Sequence, residues 1–303
     1  MSLPLVVAPA VAAALESGQP VVALESTIIS HGLPRPRNLE AARGFEAILS
    51  GMGVTAATVA ILDGVLKVGL TDDELVRIAS EDIAKVSVRD LPVVIARKAS
   101  GATTVAATSY IASLAGVRVF STGGLGGVHR GANETFDESA DLPILSETPI
   151  TVVSAGVKSI LDIRATLERL ETLSVTVVGF GTDEFPSFWL TTSGQTLDWS
   201  VPDAAAVANI MAANDDLGRR SAILVANPLP IEEQLDPAVH DAALAEALRA
   251  ADAEALTGKE VTPFLLAKMV EITGGDSLEV NLRIAANNIR VGGEIAKAWA
   301  GRS

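Results

Sequence analysis

The chain has 303 residues, with 23 basic side chains against 37 acidic ones, a formal net charge of −14, and no cysteine. The missing thiol excludes a disulfide framework, a cysteine-ligated zinc or iron–sulfur site and a thiolate nucleophile. The bulk negative charge argues against a nucleic-acid polymer as partner, whose phosphates need a basic face, but leaves room for one small anion in a locally basic pocket.

Hydrophobic residues make up 49% of the chain and aromatics only 4%, so a sizeable core is expected, built from Ala, Val, Leu and Ile. No apolar run reaches the roughly 18 residues a bilayer span requires, so no membrane association is expected. The opening Met1-Ser2-Leu3-Pro4 lacks the basic start of a secretory signal, and a cytoplasmic location is the expectation. Lysine is scarce: seven residues, Lys67, Lys85, Lys98, Lys158, Lys259, Lys268 and Lys297.

In chain order, the patterning predicts a strand at 21–24, a helix at 38–50 and a strand at 58–62. A helix at 71–79 opens as Thr71-Asp72-Asp73-Glu74, a capping-box pattern with acids in the first turn. There follow a strand at 93–96, a helix at 102–115 and a strand at 117–120, then a poorly patterned stretch, 121–148, too long for an idle connection. Beyond it come strands at 150–153, 175–179 and 222–225, and helices at 158–170, 203–215, 237–256 and 263–271, with a last helix from about Ser277. Asn227-Pro228-Leu229-Pro230 reads as a turn. The strands are mostly continuous apolar runs, as parallel strands covered on both faces are. The alternation predicts an α/β fold, three-layer α/β/α with a mostly parallel central sheet. No linker or repeat interrupts the chain, so residues 1–303 are expected to form one domain.

Gly123-Gly124-Leu125-Gly126-Gly127 follows a predicted strand, which raises the question of a dinucleotide fingerprint. Starting at Gly124, that fingerprint needs glycine at 129, which is His129, and no helical period follows, so a Rossmann site is rejected. A backbone nest for one phosphate or sugar oxygen, or a plain flexible turn, both remain open. Lys158 lies where a strand gives way through Ser154-Ala155-Gly156-Val157, and ligand sites of open α/β sheets lie beyond the carboxyl ends of strands. Flanked by Val157 and Ile160, it is either a partly desolvated amine suited to Schiff-base chemistry or a solvated lysine in the first turn of a helix. Lys85 is either a point charge for a phosphate or a surface residue.

Glu25 directly ends the run Val21-Val22-Ala23-Leu24, where a carboxylate serves as a general acid or base if burial raises its pKa; the alternative is a loop or cap acid. Asp137 and Asp141, near His129, are oxygen donors of the kind a hard ion such as Mg²⁺ or Mn²⁺ takes partly through water, or else part of a solvated acidic loop. His31 lies in the first loop, and His240 falls on a predicted helix and reads as structural. Asn281, Asn287 and Asn288 interrupt the last helical pattern; Asn281 presents an amide to a ligand or caps a helix.

Several longer strings go further: Leu24-Glu25-Ser26-Thr27-Ile28-Ile29-Ser30-His31-Gly32, Lys85-Val86-Ser87-Val88-Arg89-Asp90-Leu91-Pro92, Gly101-Ala102-Thr103-Thr104-Val105-Ala106, the stretch from Ser121 to Gly131, Ser139-Ala140-Asp141-Leu142, Val153 to Asp162, Thr182-Asp183-Glu184-Phe185-Pro186 and the Asn287-Asn288 end. In this order, from about residue 5 to 300, the chain resembles the pseudouridine-5′-phosphate glycosidase family, also called indigoidine synthase A-like. Val88 stands where a basic residue is expected, and Phe180 where an aromatic hydroxyl is usual.

The resemblance implies reversible cleavage, with water, of the C–C glycosidic bond of pseudouridine 5′-phosphate to uracil and ribose 5-phosphate, an activity of the hydro-lyase class. It makes Lys158 the residue that forms a Schiff base at the sugar C1′ and Glu25 the proton donor. It makes Asp137 the anchor of one divalent metal per subunit, Mn²⁺ above others. Lys85, Val105, Ser139, Ala140 and Asp141 match substrate-binding positions, with Thr122 and His129 near the sugar phosphate and Asn281 near the uracil edge. A homotrimer and a separate pseudouridine kinase in the same pathway are also implied. Two other readings compete: a metal-dependent N-glycosidase acting on other nucleosides or nucleotides, and a catalytically dead relative serving as a binding subunit.

Overall fold

The structure, a computed structural model, describes residues 3–256, 258 and 261–302. Eleven strands join one sheet: β1 (Leu5–Val7), β2 (Val21–Leu24), β3 (Thr55–Leu62), β4 (Val65–Val68), β5 (Ala84–Val86), β6 (Gly101–Thr103), β7 (Val119–Ser121), β8 (Thr151–Ser154), β9 (Thr176–Phe180), β10 (Ser200–Val201) and β11 (Ile223–Ala226). Their order is β1-β4-β3-β2-β7-β8-β11-β9-β10, and from β3 to β10 every neighbouring pair is parallel. The antiparallel pairings are those of β3 with β4 and with β6, which leads on to β5.

Among the described residues the α-helices are α1 (Pro9–Glu16), α2 (Arg37–Gly51), α3 (Asp72–Ser80), α4 (Leu91–Ala96), α5 (Val105–Leu114), α6 (Ala132–Thr135), α7 (Asp141–Glu147), α8 (Ile163–Thr172), α9 (Ala204–Asp216), α10 (Pro237–Ala253), α11 (Val261–Ile272) and α12 (Asp276–Ala300). Successive strand residues point to opposite faces, and the core divides accordingly. Val22, Leu24, Val119, Val153 and Val225 pack against Phe45 and Leu49 of α2, Met211 of α9 and Ile289 of α12. Val21, Ala23, Phe120, Val152 and Leu224 belong to the opposite core, with Val11 of α1, Ile111 of α5, Leu145 of α7 and Leu170 of α8. Both faces are dry, which is why the strands read as unbroken apolar runs. The mixed α/β fold with helices on both sides of a mostly parallel sheet agrees with the pattern of the sequence.

Several predicted elements are corrected. Residues 93–96 form no strand but the end of helix α4: Asp90 receives the Ser87 amide at 2.9 Å, and Pro92 sits in the first turn, where its missing N–H costs nothing. The helix expected from 158 begins at Ile163, because the Asp162 carboxylate accepts the Ala165 amide and caps it there. Lys158 therefore lies in the turn before the helix. The helix expected from 102 begins at Val105, capped by Thr104, and residues 101–103 are strand. The 121–148 stretch holds α6 and α7. Strand β4 escaped the pattern because it is short. Its signal is Asp63-Gly64, both at positive φ (52° and 79°), the hairpin preference of such dipeptides.

The capping box expected at Thr71 is present, with Glu74 and Thr71 each accepting the other's backbone N–H. Thr71→Ala is expected to lower stability by about 1 kcal/mol, read as a lower urea midpoint with an unchanged m-value, while activity at the distant sheet edge stays intact. An unchanged midpoint would show that the cap contributes nothing.

Candidate active site

β2, β7 and β8 are adjacent and parallel, with Leu24 beside Ser121 and Ser121 beside Val153. Three loops therefore leave the sheet side by side: Glu25 after β2, Thr122-Gly123-Gly124 after β7, and Ala155-Gly156-Val157-Lys158 after β8. Glu25 and Lys158, 158 − 25 = 133 positions apart in sequence, meet because their strands end at one level. They line a cavity of about 360 Å³ at the carboxyl edge of the sheet, where ligands of open α/β folds bind.

The Lys158 turn is tied to the glycine loop by backbone hydrogen bonds. Ala155 N–H donates to Gly123 O, Leu125 N–H to Gly156 O, and Lys158 N–H to Leu125 O. Gly156 has φ +74°, and a Cβ there would lie 2.3 Å from the Pro186 carbonyl, so only glycine makes this turn. The Lys158 ammonium nitrogen donates to Gly124 O at 2.6 Å. From below, the buried Ser159 hydroxyl lies 2.7 Å from His240 Nε2, and Arg130 donates to the Ser159 and Ile160 carbonyls. His240 is thus structural, as its helical position suggested.

The glycine cluster resolves differently from either reading of the sequence. It is largely buried, and two of its amides are taken within the protein: Leu125 N–H by Gly156 O and Gly126 N–H by Asp141 Oδ2 at 2.8 Å. A Cβ on Gly126 would meet Ser139 Oγ at 2.3 Å. Glycine is required for close packing of the loop.

Asp141 is itself buried. Its other oxygen accepts the Ala106 N–H at 2.8 Å, so one carboxylate ties the start of α5 to the glycine loop. With both oxygens engaged by backbone, Asp141 is a fastener of the cavity wall. Asp137 is more open and lies 3.8 Å from His129 Nδ1, while Glu138 is paired with Arg169. Among the described residues, no three His, Asp or Glu side chains gather as a metal cage. A hard divalent ion fits this donor set as one carboxylate, Asp137, plus water, the manner in which Mg²⁺-like ions are commonly held.

Burial raises the Glu25 carboxyl above its ordinary 4.5; the Lys158 charge and a hydrogen bond from the Thr122 hydroxyl oppose this, and Asp141 adds to it. Desolvation lowers His129 below its ordinary range, against the pull of Asp137, and Lys85 lowers it further. His31 is lowered for the same reasons, by desolvation and then Lys85. Lys85 is therefore the positive charge that both imidazoles sense across the cavity.

Of the residues singled out in the sequence, Glu25, Lys85, Val105, His129, Asp137, Ser139, Ala140, Asp141, Lys158 and Asn281 all line this one cavity. Thr122 is outside its lining: it is buried behind Glu25 and touches the carboxyl group instead. Residues that sequence reasoning missed are Thr27, Ser87, Thr104 and Phe188. Ser87 Oγ is buried at the cavity without a protein partner. Phe188 takes φ +59°, rare for a bulky residue, and lies over Gly124. The Thr104 cap before an apolar helix was a readable signal; nothing in the sequence marks Phe188.

A half-buried acid, a lysine and a basic rim at the ends of three parallel strands define an α/β enzyme for a small anionic substrate. The chain belongs to the indigoidine synthase A-like family, whose description, indigoidine synthase A like protein, matches residues 10–298. It is 57% identical over 299 residues to a protein of Frankia alni named pseudouridine-5′-phosphate glycosidase, covering 98% of this chain and 83% of that one. A protein of the same name from Saccharopolyspora erythraea is 54% identical over 302 residues, covering 99% of both. Among solved structures, the prealnumycin C-glycosynthase AlnA in complex with ribulose 5-phosphate matches with a TM-score of 0.91 at 37% identity, over 100% of this chain and 98% of that one. An indigoidine synthase A-like protein of Thermotoga maritima matches with a TM-score of 0.89 at 35% identity, over 98% and 97%.

Two outcomes follow from the geometry. An acid whose folded pKa lies above its unfolded one stabilises fully below the unfolded value, and that contribution is lost as pH rises through the folded value. Ionised Glu25 thus opposes folding at neutral pH. Glu25→Gln keeps an acceptor for Thr122, so it is expected to melt higher than wild type at pH 8 by a margin that shrinks towards pH 4, while kcat falls by about 10²–10⁴. A melting difference independent of pH would show that burial does not shift this acid. Asp141→Asn turns one acceptor into a donor facing a backbone N–H; a loss of about 1–3 kcal/mol in denaturant unfolding is expected, with activity lost too.

Proposed function

We propose that this chain cleaves the C–C glycosidic bond of pseudouridine 5′-phosphate reversibly, with water, giving uracil and ribose 5-phosphate. The observation that carries this reading is that the half-buried Glu25 and Lys158 line one cavity and interact by charge. Relatives of the corresponding name at over half identity along nearly the whole chain support it. So does a C-glycosynthase of the same fold that holds a pentulose phosphate.

C–C cleavage is difficult because the base would leave as a carbanion. The acid–lysine pair offers a route around this. Transfer of a proton from the Lys158 ammonium to the Glu25 carboxylate prepares nucleophile and acid together. Gly124 O, accepting one Nζ hydrogen, aims the nitrogen lone pair at C1′. Glu25 protonates the ring oxygen O4′, the C1′–O4′ bond breaks, and Nζ bonds to C1′. Nζ, left with two hydrogens and a positive charge, returns one proton to Glu25; Glu25 passes it to uracil C5, and the C1′–C5 electron pair stays with the base. The nitrogen lone pair forms the C1′=N bond of a Schiff base. Water adds to C1′ and releases ribose 5-phosphate and free Lys158. Glu25, held by Thr122, is the proton donor and later re-forms the carboxylate.

Lys85 and His129 surround the anionic end of the substrate, and the buried Ser87 hydroxyl offers it one further hydrogen bond. Val105, Ser139, Ala140 and Asp141 shape the sugar site, and Asn281 reads the base edge with its amide. Asp137, with waters, would hold a divalent ion such as Mn²⁺, which when bound supplies positive charge for substrate oxygens. A homotrimer and a separate kinase that phosphorylates pseudouridine complete the proposal. Among the described residues no helix is long and apolar enough to cross a membrane.

The test is chemical. Borohydride added with ribose 5-phosphate is expected to reduce the Schiff base and leave a mass adduct on the peptide containing Lys158. Lys158→Ala is expected to give neither adduct nor uracil. Uracil released from pseudouridine 5′-phosphate by the Lys158→Ala protein would overturn the Schiff-base route, and wild-type cleavage of uridine 5′-phosphate in place of pseudouridine 5′-phosphate would favour hydrolysis of N-glycosides instead.

A further inference from the structure

Asn288 lies inside α12, where asparagine is a poor helix former, and it is completely buried. Its Nδ2 donates to Thr122 O at 2.7 Å and to Gly123 O at 3.2 Å. Both partners are carbonyls, which only accept, so the amide orientation is forced. Its Oδ1 accepts Asn227 Nδ2 at 2.9 Å, from just past β11, and its main-chain carbonyl accepts Ser121 Oγ at 3.1 Å. One turn on, Gly292 lets the helix come so close that a Cβ there would lie 2.0 Å from Ser121 Oγ.

The loop held in this way is the one that serves both reacting groups. The Thr122 hydroxyl donates to Glu25, and Gly124 O, one residue past the clamped carbonyls, receives Lys158 Nζ. We propose that Asn288 is a positioning residue for the acid–lysine pair: its buried amide, locked by Asn227, fixes the β7 loop that aims Glu25 and Lys158 at one point. This rests on the acid–lysine chemistry proposed above. An apolar residue could fill the same volume in the helix. The amide is needed because, among the described residues, the buried Thr122 carbonyl accepts from this side chain alone, while Gly123 O accepts it beside the Ala155 N–H, and an unmet buried carbonyl is costly.

The experiment compares Asn288→Ala and Asn288→Asp with wild type, and Asn287→Ala as a control from the same helix. Steady-state uracil release, melting and borohydride trapping are measured for each. Folded Asn288 variants are expected to lose about tenfold or more in kcat with KM changed less than about threefold, since small misplacements of reacting groups act on the chemical step. The control stays within about twofold of wild type. Trapping by ribose 5-phosphate should slow in parallel with kcat. Thr122→Val should resemble the Asn288 variants, and Thr122→Ser, which keeps the hydroxyl, should recover most of the rate.

A folded Asn288→Asp protein with wild-type kcat overturns the proposal, as does a loss confined to KM or to melting temperature. If neither Asn288 variant folds, Asn227→Ala, which releases the same amide, takes their place with the same expected loss in kcat, and wild-type kcat there overturns it. Should wild type itself give no adduct while Asn288 variants still lose kcat, the Schiff-base reading fails and the positioning role stands.

Discussion

Everything at the site depends on three parallel strands, β2, β7 and β8, ending at the same level. Parallel pairing with Leu24, Ser121 and Val153 side by side leaves no freedom in where the following residues start. Glu25, the Thr122–Gly124 loop and the Lys158 turn then emerge as neighbours, although six strands, β3 to β8, lie between Glu25 and Lys158 in sequence. A shift of one residue in any of these strands would turn the strand's apolar set to the wrong core. Because the two cores are distinct and both dry, that register is strongly fixed, and the site inherits the rigidity of the sheet.

A second layer of fastening converts that coarse placement into chemistry. Hydrogen bonds within a fold are each worth only about 1 kcal/mol net, yet many of those around the cavity join segments distant in sequence. Asp141 binds α5 to the glycine loop, His240 meets Ser159, and Asn288 spans Thr122, Gly123 and Asn227. Each is buried, so water cannot replace the missing partner when one is removed. The loops therefore behave as part of the scaffold, which is the condition for holding an acid and an amine in one geometry.

The layer architecture and the parallel sheet were legible because apolar runs with two dry faces leave an unmistakable pattern. The strand assigned to 93–96 failed since three β-branched residues, Val93, Val94 and Ile95, outweighed the Pro92 and Asp90 start signals that in fact decide the segment. Five short strands, β1, β4, β5, β6 and β10, were missed because two to four residues cannot establish a period. At the site, Glu25 and Lys158 were readable from their place at strand ends, since topology, and no local pattern, gives those positions meaning. Thr122 was assigned to the ligand but serves the acid, a distinction of side-chain direction that sequence does not carry. Phe188 and Ser87 were invisible for the same reason: their roles come from a positive φ and from an unmatched hydroxyl.

Burial of Glu25 raises its pKa, and each unit of such a shift represents about 1.4 kcal/mol set against the ionised form in the folded state. A chain selected only for stability would replace this acid with a neutral residue, which Thr122 could still hydrogen-bond. Lys158 offsets part of the penalty, and Thr122 another part, so opposing influences meet on one carboxyl, with burial the largest and the net shift upward. That balance is what an acid needs if it must give up a proton and take one back within a single turnover. The same partial withdrawal from water that weakens the fold at Glu25 also strengthens the field between it and the Lys158 charge. The stability lost at this position and the reactivity gained there have one cause, the placement of a charge at the dry end of a buried strand.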